Sequence, residues 1–439
     1  MSSQTLRRVA VVGGTRIPFC RSNTLYADLS NLDMLIATLD GLVEKYHLAG
    51  VHIDEVIGGA VVTHSRDWNL AREAVLGTRL APSTPGITLI QACGTSLQAA
   101  SMIGAKIATG EIDSGIAMGA DTTSDAPIVF SKKFAKRLVA TQQQRSVGGR
   151  LKTFAGGFSP AELAPQPPST SEPRTGLAMG NHCELMAQEW HIPRAEQDQL
   201  AFESHKKAAA AYAQGWMDDL VVSCAGVFRD NNLREDIALD KLATLKTAFE
   251  KSERGTLTAA NSTPLTDGAA AVLLASPEWA AKHGLPVQAY LTFAQTSAND
   301  FVAGEGLLMA PTVAVARLLD RAGLKLQDFD YYEIHEAFAA QVLSTLRAWE
   351  DPAYCRRVLG RDAALGSIDR AKLNVKGSSL AFGHPFAATG ARIVANLAKL
   401  LSVNGGRGLI SICTAGGMGV AAILESARTD AMRMPAAAE

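Results

Sequence analysis

Only six of the 439 residues are cysteine (Cys20, Cys93, Cys183, Cys224, Cys355, Cys413), and no two of them form a C-x-x-C pair. Such scatter argues against a disulfide framework or a zinc knuckle and fits a reducing compartment. Net charge is nearly absent as well. Lys+Arg 42 against Asp+Glu 43 leaves −1, so no global field draws the chain to nucleic acid or to an anionic membrane. An uninterrupted apolar span is also missing. The stretch 80–105 has no charged residue, yet Pro82, Ser83, Thr84, Pro85, Gln91 and Gln98 interrupt it, and a spanning helix does not carry them all. It reads instead as a buried strand followed by a buried helix. At the ends, MSSQTLRRVAVVGG runs straight into a strand pattern and MRMPAAAE lacks a peroxisomal or retention tripeptide, so a cytoplasmic protein is expected. Acid is missing locally. Between 126 and 161 stand seven basic residues (Lys132, Lys133, Lys136, Arg137, Arg145, Arg150, Lys152) and no carboxylate.

What is present is a large core: hydrophobic residues make up 47% and charged residues 19%, the balance of a globular protein of roughly two to four domains. Short apolar runs alternate with helical patterns, which predicts an α/β layered architecture. Strands are expected over 9–12, 55–62, 86–92 and 114–119, and helices over 32–46, 69–76 and 95–109. From about 125 the character changes: PQPPSTSEP at 165–173 is loop chemistry, and a long Ala-rich helix is expected over 195–214. Strand signals resume at 257–260 and 269–275, and a second α/β block runs from about 288 to 426. The division expected is a first half over 1–124 completed by 247–280, an inserted loop subdomain over 125–246, and a second half over 281–439. The halves share a grammar. A turn at Cys93-Gly94 leads to a helix, a glycine and a strand, and a turn at His384-Pro385 does the same. Two similar halves with a site between them follow.

Four residues stand out. Cys93 follows a strand and precedes a helix, where the dipole and free N–H groups favour thiolate and a sharp turn exposes the sulfur; the plain alternative is a small buried hydrophobe. His384 sits between Gly383 and Pro385, so its imidazole is aimed by an irregular backbone. It is either the base that activates a cysteine or a loop cap. Cys413 ends a strand and enters a glycine-rich turn whose N–H groups suit an oxyanion; a buried strand cysteine is the competing reading. His335 opens HEAFAAQ after an apolar-acidic strand, and as a helix-start residue it either donates to developing charge or belongs to ordinary capping.

Together QACGTSLQAA around Cys93, HEAFA at His335, GHPFAATG at His384 and CTAGGMG at Cys413 resemble the four active-site motifs of the thiolases. TAANSTPLTDGAAAVLL at 258–274 resembles another signature of that family, and the match runs in order through nearly the whole chain. The resemblance implies a layered α-β-α-β-α fold and an acyltransferase acting on acyl-CoA and CoA. It implies no permanently bound cofactor, no metal and a homodimer or tetramer. Histidine in HEAFA, with GADTTSDAPIVFSKK, is similar to the degradative 3-ketoacyl-CoA thiolases of the trifunctional-complex β-subunit type, bacterial branch, which work beside a hydratase–dehydrogenase subunit. Ser378 stands where glycine is common, Asn181-His182-Cys183 departs from the pattern, and Ala387 and Ala415 replace frequent glycines.

The implied roles are specific. His384 draws the proton from Cys93, whose thiolate attacks the 3-keto carbon. His335 and His384 donate to the enolate oxygen, Cys413 moves the proton at carbon, and the N–H groups of Cys93 and Ala415 hold the acyl oxygen. Ser262, Thr263, Met179 and Phe338 are assigned to substrate and CoA. Competing readings are condensation of two acetyl-CoA, a decarboxylating ketoacyl synthase (which has a second histidine where Cys413 stands), and a non-catalytic lipid-binding protein. For the basic segment, CoA phosphates, a partner subunit or membrane, and a solvated face compete.

Overall fold

The segment TDGAAAVLLA is buried at every position from Thr266 to Ala275, which suits a strand covered on both faces. The computed structural model, which describes residues 6–428, places it inside a ten-stranded sheet; the reading of the tail 432–439 lies outside the described residues. In chain order the strands are β1 (Ala10–Arg16), β2 (Cys20–Arg21), β3 (Glu55–Gly59), β4 (Gly86–Thr88), β5 (Ser114–Asp121), β6 (Thr266–Ala275), β7 (Ala289–Ala298), β8 (Tyr331–Ile334), β9 (Arg407–Thr414) and β10 (Met418–Ser426). Across the sheet they run β4-β3-β5-β6-β1-β7-β10-β9-β8, with β2 beside β6.

The order repeats itself about its middle. β4, β3 and β5 are parallel, then β6 and β1 are antiparallel. From the other edge, β8 and β9 are parallel, then β10 and β7 are antiparallel. The counterpart of β4 is a single parallel bridge between Tyr332 and Leu373. Within the sheet, the strands of the two halves pair at Ala10↔Tyr290 and Val11↔Ala289.

Strand alternation then builds the layers. Along β10, Val420, Ala422 and Leu424 face one core while Ala421 and Ile423 face another. Along β6, Ala270, Val272 and Leu274 share that first core, and Ala269, Ala271 and Leu273 face a third. The shared core surrounds two helices, Thr95–Thr109 and Thr389–Asn404. The outer faces are covered by Asn31–Lys45 and Leu70–Leu76 on one half and by Ala310–Ala322 and Ala339–Glu350 on the other. The result is the α-β-α-β-α stack. A helix between two sheets is apolar nearly all round, which is why Phe386–Asn404 is long and apolar enough to cross a membrane while most of it lies buried inside the protein.

Residues 122–265 separate β5 from β6 and carry the helices Lys132–Gln142, Val147–Ala155, Met179–Glu189 and Arg194–Ala213. The basic segment forms the first two. Phe134 packs edge-on to Phe130 and Phe154. Arg137 turns inward to the carbonyls of Phe154 and Gly156 and to Glu162, which Lys133 also pairs, so two of the seven cations are engaged in closing the hairpin. Leu138, Val139, Val147 and Leu151 stay exposed beside the remaining lysines and arginines.

Several expectations need correction. β1 runs on to Arg16, whereas β3 stops at Gly59 and β4 at Thr88. The expected strand at 257–260 is a loop, because side chains take its backbone donors. Glu184 accepts from the N–H groups of Thr256 and Leu257, and Asn261 Oδ1 accepts from Thr258 N. His335 does not open a helix; three residues separate it from Ala339–Glu350.

The end of β5 carries the other half's loop. Asp121 accepts from the N–H groups of Val61, Val62 and Ala387. A Cβ on Gly119 would sit 2.1 Å from the Ala387 carbonyl oxygen. Gly119→Ala should therefore push the 384–388 loop away, costing about 1–3 kcal/mol of stability and at least tenfold in activity. Thermal melting and steady-state rates check this, and a variant with normal rates would contradict the close contact.

Candidate active site

Cys93 lies in a one-turn 3-10 segment, Ala92–Gly94, that leads into the helix Thr95–Thr109. Ala92 sits at φ 45°, a left-handed conformation uncommon for a residue with a side chain. That bend turns the chain sharply between β4 and the helix. Its mirror in the other half is the turn His384–Ala388 before Thr389–Asn404. Ser96 Oγ donates to the Ala387 carbonyl at 2.5 Å and accepts from Ala391 N at 2.8 Å, which locks the two turns together.

The result is a contact across 291 residues of sequence: His384 Nε2 lies 3.0 Å from Cys93 Sγ. His384 Nδ1 meets Thr389 Oγ1 at 2.6 Å, and its backbone N–H donates to Thr266 Oγ1. His335 Nε2 stands 3.2 Å from His384 Nε2, while its Nδ1 meets Ser379 Oγ at 2.9 Å. Cys93, His335 and His384 offer ligand atoms within 4.8 Å of one another, a spacing that serves a proton chain and also suits a metal ion. Cys413, near the end of β9, is fully buried, and Cys93 and Cys183 are both close enough for their charges to act on it.

The electrostatics correct the thiolate expectation. Burial pushes the Cys93 thiol up to about 12, although hydrogen bonds from the backbone of Ala415 and of Cys93 itself pull it down. Desolvation outweighs the helix end. His384 is pushed down to about 3 by burial and by the charge of Arg392. His335 is driven well below the ordinary range by burial, then by His384 and Arg392. Burial first, then Cys93 and Cys183, raises Cys413 well above the usual thiol range. The resting site is a set of neutral groups, thiol facing imidazole.

The turn after Cys413 closes tightly from β9 to β10, with Gly416 at φ 77° and Gly417 at φ 67°, values that only glycine adopts freely. Its backbone N–H at Ala415 faces the Cys93 sulfur, and the N–H of Gly416 donates to Glu172 Oε1 at 2.9 Å. A nucleophilic thiol, a base 3.0 Å away and two backbone donors at one sulfur are what acyl transfer requires.

Known proteins of this build share an ancestry with the chain. The sequence matches the family "Thiolase, N-terminal domain" over residues 9–278 and "Thiolase, C-terminal domain" over 286–426. The chain belongs to the thiolase family. It is 41% identical over 425 residues to the 3-ketoacyl-CoA thiolases of Yersinia pestis (strain Pestoides F) and Yersinia pseudotuberculosis serotype I (strain IP32953), covering 95% of this chain and 97% of each relative. Among solved structures it superposes on Bacillus anthracis acetyl-CoA acetyltransferase with TM-score 0.79, 26% identity, and coverage of 97% of this chain and 100% of that one. Human mitochondrial 3-ketoacyl-CoA thiolase gives 0.78, 27%, 96% and 99%.

In this thiolase Ser262, Thr263 and Phe338 lie beside one another, and Met179 packs against the same apolar core as Phe338. Ser262 bridges Phe338 through the backbone, and both N and Oγ1 of Thr263 donate to the Ala337 carbonyl. Phe338 packs edge-on to Phe249 at 5.9 Å, and Met179 packs against the apolar core that holds Cys413 and Cys183. None of these four residues hydrogen-bonds Cys93 or His384 through its side chain. Thr389, Ser379, Ser96, Asp121 and Arg392 were not foreseen. Of these, Thr389 lies inside GHPFAATG, Ser96 inside QACGTSLQAA and Asp121 inside GADTTSDAPIVFSKK, but no motif announces their contacts.

Buried neutral histidines set a pH dependence. An unfolded histidine titrates near 6.5, while folded His384 stays neutral down to about 3. Between those values the unfolded chain binds a proton that the folded chain refuses. Stability from this group is therefore full above pH 6.5 and declines as pH falls, by up to about 1.4 kcal/mol per pH unit. Urea midpoints at pH 7 and pH 5 should fall less steeply for His384→Asn than for the wild type; equal slopes would refute a buried neutral imidazole.

Proposed function

We propose that this thiolase is an acetyl-CoA C-acyltransferase that cleaves 3-ketoacyl-CoA with CoA, giving acetyl-CoA and a shortened acyl-CoA in fatty-acid β-oxidation. The observation that carries the reading is the 3.0 Å contact between Cys93 Sγ and His384 Nε2, made by turns from two different halves. His384 takes the thiol proton as the sulfur attacks the 3-keto carbon, so the charge separation that burial disfavours forms only as the new C–S bond does. The C2–C3 bond breaks, and its electron pair becomes the enolate of acetyl-CoA. The N–H groups of His335 and His384 hold the thioester oxygen of that enolate, and Cys413 gives its proton to C2. The backbone N–H groups of Cys93 and Ala415 hold the acyl oxygen. Incoming CoA returns a proton to Cys413, its thiolate attacks the acyl group, and Cys93 leaves with the proton from His384.

Neutral groups in a dry site favour this division of labour, since a hydrogen-bond donor there is worth more than in water. Cys413 in place of a second histidine supports thiolysis over decarboxylating condensation, because a thiol can shuttle a proton to and from both carbon and CoA. The apolar surroundings of Met179, Phe249 and Phe338 support an acyl chain, and Ser262 and Thr263 are assigned to the CoA side of the site. Six unpaired, buried thiols support a cytoplasmic, reducing setting.

For partners, β4 is an outer strand of the sheet, and Ile87 within it and Ile90 just after it are exposed; an open apolar edge supports pairing with a second copy. The exposed basic and apolar face of 132–152 supports docking of a hydratase–dehydrogenase subunit or of an anionic surface. Reversing Lys132, Lys136, Arg145 and Arg150 should weaken association while leaving KM for CoA unchanged, read by co-sedimentation and kinetics; unchanged association would reduce that face to a solvated one.

The direct test of the reaction is mass spectrometry after mixing with a 3-ketoacyl-CoA. An acyl adduct on Cys93 that free CoA removes is expected. Cys93→Ala should form none and lose at least 10⁴-fold in rate, on the order of what removing a nucleophile costs. Full activity in that variant sinks the assignment.

A further inference from the structure

Behind His335 lies a buried cation to which the reaction above gives no task. Arg392, in the helix Thr389–Asn404, is enclosed by protein. Its Nη2 donates to Ser379 Oγ at 3.1 Å and to Ser378 Oγ at 3.2 Å. Buried Glu333 and Glu336 offset its charge. Glu336 is itself held by Ser204, Asn374 and the backbone N–H of Leu380, and Glu333 accepts from Asn396, so both carboxylates are anchored by partners other than the histidines.

Counting protons orients everything downstream. A guanidinium has donors only, so Ser379 Oγ accepts from Arg392. The single proton of that hydroxyl then has His335 Nδ1, 2.9 Å away, as its acceptor. Were Nδ1 protonated instead, the serine proton would be buried without a partner, at a cost comparable to a lost hydrogen bond. His335 therefore carries its proton on Nε2, directed at His384 Nε2 across 3.2 Å. A donor at that position requires a lone pair on His384 Nε2. His384 keeps its own proton on Nδ1, against Thr389 Oγ1 at 2.6 Å. That one lone pair is shared between the His335 N–H at 3.2 Å and the Cys93 thiol at 3.0 Å.

We propose that Arg392 and Ser379 are positioning residues that fix the tautomers of both histidines, through the chain Arg392 to Ser379 to His335 to His384. The proposal rests on the reading of His384 as the group that takes the Cys93 proton. It also explains how one imidazole serves twice. Before attack, His335 stabilises the lone pair of His384. Once the Cys93 proton arrives on His384 Nε2, two N–H groups stand 3.2 Å apart and are released onto one substrate oxygen.

The test uses full-length enzyme labelled with ¹⁵N in the histidine rings. In the resting wild type, His335 should appear with Nε2 protonated and Nδ1 bare, and His384 with the reverse, assigned from His335→Asn and His384→Asn spectra. Ser379→Ala should mix the His335 tautomers and lower kcat about 10–100-fold with KM changed less than threefold. Ser379→Thr, which keeps a hydroxyl, should restore both readouts. A wild-type His335 protonated on Nδ1 overturns the proposal whatever the variants do. Wild-type tautomers or wild-type kcat in Ser379→Ala overturn it too. Absence of an acyl adduct on Cys93 would count against the catalytic reading instead, because the tautomers are read in the resting enzyme.

Discussion

Ser96 stands where two helices from different halves begin side by side, and most of the site geometry hangs on its hydroxyl. The oxygen donates to the Ala387 carbonyl and accepts from Ala391 N, so it serves the second helix much as a cap serves its own. Because Ser96 is buried, each of these bonds is costly to leave unmade. Three residues before Ser96 is the thiol; three residues before Ala387 is the imidazole. Holding the two turns in register with one hydroxyl brings Cys93 and His384 into contact although the sheets they serve share only two residue pairs. Asp121 repeats the logic from the other side, tying β5 to the same loop through Ala387 N.

The same enclosure explains the charge state. Packing the site between two sheets removes water, and dehydration penalises every ion more than a helix end rewards it. The thiol and both imidazoles stay neutral, and the nearby cation Arg392 is partly offset by Glu333 and Glu336. Its nearness discourages a proton on either histidine. Reactivity is thus held back until substrate supplies an electrophile and an oxygen to receive the charge.

What was legible in the sequence was local. Cys93, His384 and Cys413 each sit on a turn whose glycines or prolines announce it, His335 is marked by its HEAFA motif alone, and the alternation of apolar runs with helical periods foretells the layers. The duplicated order of turn, helix and strand was readable because each half is built from neighbouring elements. Illegible features arise from long-range contacts. Ser379 and His335 are 44 residues apart, and nothing in either neighbourhood announces the other. The apparent strand at 257–260 was lost to Glu184, 72 residues away from Thr256. The thiol's charge was misjudged because burial is a property of the whole stack.

The segment leading to Met179 reaches the site by a slender route. Glu172 holds it to the Gly416 amide, and Thr175 holds it to His182. One charge-assisted hydrogen bond contributes about 1.5–3 kcal/mol and one neutral bond about 1, whereas the nucleophile and its base are fixed by two packed helices and a sheet on either side. The molecule is therefore graded in stiffness. Its floor is packed as a core, while the rim over the Ala415 turn is tied by bonds such as these, so adaptation to an acyl thioester falls on the rim and leaves the reacting atoms in place.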